Sequence, residues 1–112
     1  YGQNNVCSGD PISVSTTGYE SSAGYAQHYV IVDANDNILA QNTSGSFAST
    51  DYGTAYLGLL SVYAVNTNDS NLMATANGNN WANFSAAVNA TCANNIGPLQ
   101  FNIINCQSTI IW

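Results

Sequence analysis

The chain has 112 residues with no lysine, no arginine, six acids and one histidine, so its formal charge is −6 although only 5% of its residues are charged and 46% are apolar. Such a chain cannot displace counterions from nucleic acid, is repelled by anionic membranes, and has no basic side chain to clamp a phosphate or carboxylate. The apolar fraction is too high for disorder, and the length suits a single domain, residues 1–112, around one core.

Neutral polar groups replace the charges: 17 Asn, 12 Ser and 9 Thr make up a third of the chain. A surface of this kind is solvated by hydrogen bonds and is insensitive to salt and pH. No apolar run approaches the ~20 residues of a membrane span. Tyr1 reads as a processed or truncated start, and the chain as the mature part of a secreted protein with an extracellular or cell-surface location.

Short β-branched and aromatic segments separated by Asn, Gly, Ser and Asp clusters dominate the pattern. Ile12–Thr17 alternates, with Ile12 and Val14 on one face. His28–Asp33 is apolar on both faces, as in a central strand. Ala34-Asn35-Asp36-Asn37 is a hairpin turn leading to a strand at Ile38–Gln41, since Asn and Asp tolerate left-handed backbone angles. Ser46–Ser49 is a short edge candidate. Tyr56–Asn66 is the longest apolar stretch, with Gly58 as a candidate bulge. Trp81, Phe84 and Val88 fall at helical spacing behind Asn80, which predicts a short helix over 81–88 with an asparagine N-cap. Leu99–Ile104 alternates again, with Leu99, Phe101 and Ile103 inward. Strands at this spacing predict an all-β, immunoglobulin-like sandwich of about seven or eight strands with one short helix.

Cys7, Cys92 and Cys106 are the three cysteines, without CxxC spacing and with one histidine, so no zinc set forms. A disulfide suits a secreted chain. Cys7 precedes the first strand of this reading and Cys92 precedes the last. If those strands pair in parallel, as in an immunoglobulin-like sandwich, their beginnings meet. Cys106, beyond the far end of the last strand, then lies about 20 Å from Cys7. The expected bridge is Cys7–Cys92, closing a loop of about 85 residues worth ~4 kcal/mol in the chain-entropy model. Cys106 is left as a buried free thiol, as a link to another chain, or as the partner in a different pairing such as Cys92–Cys106.

His28 is the only candidate general base and sits in a strand pattern, where a sheet position is the plainer assignment. The acids Asp10, Glu20, Asp33, Asp36, Asp51 and Asp69 are scattered, and no GxSxG or HExxH motif occurs. Asp33–Asn37 begins like a calcium loop but has Ile38 at the glycine position and Ser44 at the glutamate position. The reading is therefore no enzyme, no metal and no cofactor. Sequons at Asn42, Asn68, Asn83 and Asn89 are candidate glycosylation sites, although about three arise by chance at this composition. Among the aromatics, Tyr29, Tyr56, Tyr63, Trp81 and Phe84 fit the core, whereas Tyr19, Tyr25 and Tyr52 sit in loop-like surroundings where they could stack on a sugar.

The run Gly24-Tyr25-Ala26-Gln27-His28-Tyr29-Val30-Ile31-Val32-Asp33, then Asn35–Ala40, then Gly45-Ser46-Phe47 and Ser61-Val62-Tyr63-Ala64-Val65-Asn66, resembles the β-sandwich modules of Bacteroidota cell-surface and gliding-motility adhesin-like proteins. The resemblance covers roughly residues 7–104, with Cys7 and Cys92 in the two cysteine places. The chain departs from it at Leu59-Leu60 and by extending past the module through Cys106 to Trp112. The resemblance implies fold and location more than chemistry. A free-standing module implies the subunit of a pilus-like filament or a surface adhesin, with copies of itself as partners in a helical polymer. A secreted glycan-binding module, with surface glycans as partners, is the alternative.

The segment Gln107-Ser108-Thr109-Ile110-Ile111-Trp112 is apolar and β-prone. It either folds back as a last strand of its own domain or adds to a neighbouring subunit. Cys106, Ile110, Ile111 and Trp112 are therefore the candidate intersubunit contacts. Tyr1–Val6, mostly polar, is the poorer donor strand.

Overall fold

The computed structural model describes residues 3–18, 22–90 and 94–106. Seven strands lie among them, in a mixed five-stranded sheet and a separate two-stranded one. The five-stranded sheet has the order β1(Gln3–Cys7)–β7(Asn94–Ile104)–β6(Gly58–Thr67)–β3(Ala26–Val32)–β4(Ile38–Asn42). Only the β1–β7 pair is parallel. The small sheet pairs β2(Ile12–Ser13) with β5(Ser46–Phe47). Three helices complete the fold: α1(Ser49–Tyr52), α2(Ser70–Ala74) and α3(Trp81–Asn89). No helix among the described residues is long and apolar enough to cross a membrane.

The core is double. Tyr29, Ile31, Leu60, Val62, Phe101 and Ile103 face the small sheet, where they meet Ile12, Phe47 and Tyr52. Val30, Val32 and Val65 face the other way, under Leu72, Met73, Trp81, Phe84 and Val88 of α2 and α3. Strand β3 is therefore buried on both faces, which is why HYVIV lacks polar alternation. The chain is mostly β, as expected, but helices rather than a second sheet cover one face of its main sheet.

Local chemistry accounts for the elements between strands. Asp33 Oδ1 accepts from the amides of Asn35 (2.8 Å) and Asn37 (2.9 Å) and closes the β3–β4 turn, with Asp36 at φ 65°. Asn80 Oδ1 caps α3 through the Ala82 amide, as its sequence position predicts. Asp69 caps α2 through the amides of Asn71 and Leu72. This helix, like α1, carries too little periodicity to be visible in the sequence. Gly45, at φ 77°, lets the β4–β5 turn press against the Val14 carbonyl, where a Cβ would collide.

Several expectations are corrected. The first strand is Gln3–Cys7, not Ile12–Thr17, of which only Ile12–Ser13 pairs. The irregularity in β6 lies between Val62 and Ala64 rather than at Gly58, and faces Gly97-Pro98 of a β7 that starts five residues earlier than Leu99. The bridge is Cys7–Cys106, with Cα atoms 5.1 Å apart, in place of Cys7–Cys92. Parallel pairing of first and last strands holds, but Cys7 ends its strand instead of preceding it. Register opposes Cys7 to Ile104, two residues from Cys106. Cys92 lies outside the described residues.

The bridge spans 99 positions, which in the chain-entropy model stabilises the fold by about 4–5 kcal/mol. Paired Cys7→Ser and Cys106→Ser substitution is expected to lower urea-unfolding stability by about 2–5 kcal/mol. Non-reducing peptide mapping should recover a Cys7–Cys106 peptide. Recovery of Cys7 linked to Cys92 would contradict this pairing.

Candidate functional site

A shallow apolar groove lies where the small sheet fails to cover the large one. Its walls include Val14, Thr16, Tyr29, Val62, Ile96 and Leu99, and its volume is about 160 Å³. That is below the ~300–1,000 Å³ of pockets for drug-sized ligands, and closer to the space needed by one large side chain. Leu99 and Ile96 stand opposite Val62 and Ala64 on the sheet face that the small sheet partly covers, yet they are 45% and 54% exposed. Leu99 was expected inward with Phe101 and Ile103, which are 7% and 1% exposed. It shares their face but is covered only in part, at the rim of the groove.

The strand beneath the groove is incompletely paired. On its outer side β7 meets β1 only from Gln100 to Ile104. No described strand pairs with Asn94–Leu99 on that side, although β6 pairs along the inner side. The other outer strands are better protected. Strand β4 is closed at its start by the Ile38 amide donating to Asn79 O (2.9 Å) and the Gly78 amide donating to Ile38 O (3.2 Å). Strand β1 presents exposed Asn4 and Asn5. Unpaired backbone beside exposed apolar side chains is a template for another strand.

One wall of the groove is held by a polar relay invisible in the sequence. Asn66 Nδ2 donates to Gln27 Oε1 (3.0 Å), and Gln27 Nε2 donates to Thr16 Oγ1 (2.9 Å). Thr16 Oγ1 shares a hydrogen bond with the Tyr29 hydroxyl (2.8 Å), which also accepts from the Thr16 amide (3.2 Å). The relay docks the segment after β2 onto the large sheet without strand pairing. Thr16→Val leaves Gln27, 7% exposed, without one acceptor. We expect a loss of about 1–3 kcal/mol in urea unfolding; an unchanged midpoint would show that the relay does not hold this wall.

The other candidates are dispersed. Cys106 is bonded within the chain and is not an intersubunit thiol. Ile110, Ile111 and Trp112, like Tyr19, lie outside the described residues. Of the sequons, Asn68 is exposed on the loop before α2, and Asn83 is exposed along α3. Asn89, at the end of α3, accepts from Asn95 Nδ2. Asn42 is tied into its turn through both amide atoms, donating to Ser46 O and accepting from the Gly45 amide. Tyr52 was expected in an exposed loop but is buried, its hydroxyl donating to Asp10 O. Trp81 is buried and stacks on Tyr63 with ring centroids 3.8 Å apart, so neither forms an open sugar platform. Among the described residues no three His, Cys, Asp or Glu side chains gather as a metal site.

His28 is half-buried on β3, opposite Val65, and its Nδ1 has no hydrogen-bond partner. Burial lowers its pKa from the ordinary 6.5. The folded state therefore resists a proton that the unfolded state accepts. This stability is complete above the unfolded value and falls as pH drops below about 6.5 toward the depressed folded value. We expect the thermal midpoint to decline between about pH 7 and pH 5 and the decline to be smaller in His28→Gln. Identical profiles for both proteins would exclude His28 as its source.

No family model, curated protein or solved structure matches the chain.

Proposed function

We propose that this chain is a structural subunit of an extracellular pilus-like filament or surface adhesin, assembled from copies of itself by strand or tail exchange. In this reading it is an immunoglobulin-like module of the Bacteroidota surface-protein kind. It contributes binding surface rather than catalysis and requires no cofactor. The observation that carries the reading is the outer side of β7 at Asn94–Leu99, unpaired among the described residues and flanked by exposed Ile96 and Leu99. Main-chain hydrogen bonding to such an edge is how sheets extend between chains.

Two further features support it. Most of the polar surface is neutral Asn, Ser and Thr, which can hydrogen-bond between copies without ion pairing. The disulfide joins the ends of the two strands that would bear load along the sheet edge. If the same edge receives a different surface of the next copy, the contact is heterologous, and an unclosed heterologous contact generates a helical fibre.

Negative-stain microscopy and light scattering of the purified, oxidised chain test this directly. Concentration-dependent fibres with a regular subunit repeat are the expected result. A monomer that remains monodisperse at high micromolar concentration would overturn the filament reading.

A further inference from the structure

We infer that Asn77–Gly78, in the turn between α2 and α3, is a self-modification site: the chain deamidates there spontaneously, and the product releases the turn from the edge of β4. The inference stands on other residues than the self-assembly reading and does not depend on it.

The chemistry needs only neighbouring atoms and water. The Gly78 backbone nitrogen attacks Asn77 Cγ; the N–Cγ bond forms, the Cγ–Nδ2 bond breaks, and ammonia leaves with the proton of the Gly78 amide. The cyclic imide then takes up one water, which opens it at either carbonyl. One opening gives aspartate. The other gives isoaspartate, whose backbone runs through the side chain and is one carbon longer. A side chain on the following residue crowds the attacking nitrogen, and glycine has none. Of the 17 asparagines, Asn77 alone precedes a glycine. Both residues are exposed to water. Among the described residues none holds the Asn77 carboxamide by a hydrogen bond, whereas those of Asn42 and Asn80 are committed to backbone amides.

The attacking nitrogen also has a structural duty. The Gly78 amide donates to Ile38 O (3.2 Å), at the long end of the hydrogen-bond range, and the Ile38 amide donates to Asn79 O (2.9 Å). Asn37 and Asn80 form a β-bridge beside them. These contacts cover the start of β4, an outer strand of the five-stranded sheet. An imide nitrogen carries no hydrogen, so ring closure removes the bond to Ile38 O. Isoaspartate then lengthens a turn that is tied on both sides, by the Asn79 amide to Ala76 O (3.0 Å) and by the Trp81 amide to Asp36 O (2.7 Å). The extra carbon breaks the register of these bonds and opens the backbone of Ile38 to water. The new carboxylate finds no lysine or arginine to pair with.

The test is incubation of the folded, oxidised chain at mildly alkaline pH, where the amide nitrogen ionises more readily. Anion exchange separates the product by its added negative charge, and chymotryptic mapping with enzymatic methylation of isoaspartate locates it. Conversion at Asn77 is expected to be at least tenfold faster than at any other asparagine. Asn77→Gln, whose longer side chain disfavours ring closure, should keep the fold and show no conversion at this position. In the isolated isoaspartate form, hydrogen exchange at the Ile38 amide should be at least tenfold faster than in Asn77→Gln, with the Val30 and Val65 amides unchanged. An Asn77 that stays intact, or converts no faster than the other asparagines, would overturn the site. Conversion that leaves Ile38 exchange unaltered would overturn the release of the β4 edge.

Discussion

The parallel pairing of β1 with the last five residues of β7 sets the rest of the arrangement. It places Cys7 opposite Ile104, within bonding reach of Cys106, and so closes the chain at one end of the sheet. The same register begins the described part of β1 opposite Gln100, so that among the described residues the first half of β7 has no strand on that side. A β1 slipped toward Asn94 would carry Cys7 away from Ile104 and so separate the two cysteines. The disulfide and the open edge are two consequences of one register.

The sheet can tolerate that open edge because its stability resides elsewhere. Strands β3 and β6 form its centre, and their side chains enter two separate cores. Val30 and Ile31, adjacent in sequence and both at 0% exposure, belong to opposite faces. Each fully buried residue of this kind contributes on the order of 1.5–3 kcal/mol by transfer from water. Trp81, Phe84 and Val88 of α3 close one side, while Ile12, Phe47 and Tyr52 close the other. The coverage on that second side stops short of Ile96 and Leu99, because β2 and β5 pair over only two residues each.

A chain without lysine or arginine must organise its loops by other means, and asparagine and aspartate serve that purpose. Asp33, Asn42, Asp69 and Asn80 each use a side-chain oxygen to satisfy a backbone amide at a turn or helix start. Their abundance, which in the sequence could be taken for glycan acceptors or calcium ligands, is explained in these four places by local backbone hydrogen bonding. The Asn66–Gln27–Thr16–Tyr29 relay extends the same chemistry to tertiary distance.

The amino-acid sequence by itself determined what depends on neighbours along the chain. The β-rich character, the doubly buried HYVIV strand, the Asp33–Asn37 turn and the Asn80-capped helix all follow from periodicity and short-range hydrogen bonding. Tertiary structure alone decided what depends on register. Gln3–Cys7 is polar and unremarkable as a segment, and becomes a strand because β7 offers it an edge. Cys7 could be matched to Cys106 rather than Cys92 only once that strand was known to end, and not begin, at the cysteine. Leu99 keeps the inward parity of Phe101 and Ile103, yet is exposed because the small sheet stops before reaching it. Alternation specifies which face a side chain occupies, whereas burial requires another element to arrive over that face, and distant pairing determines whether it does.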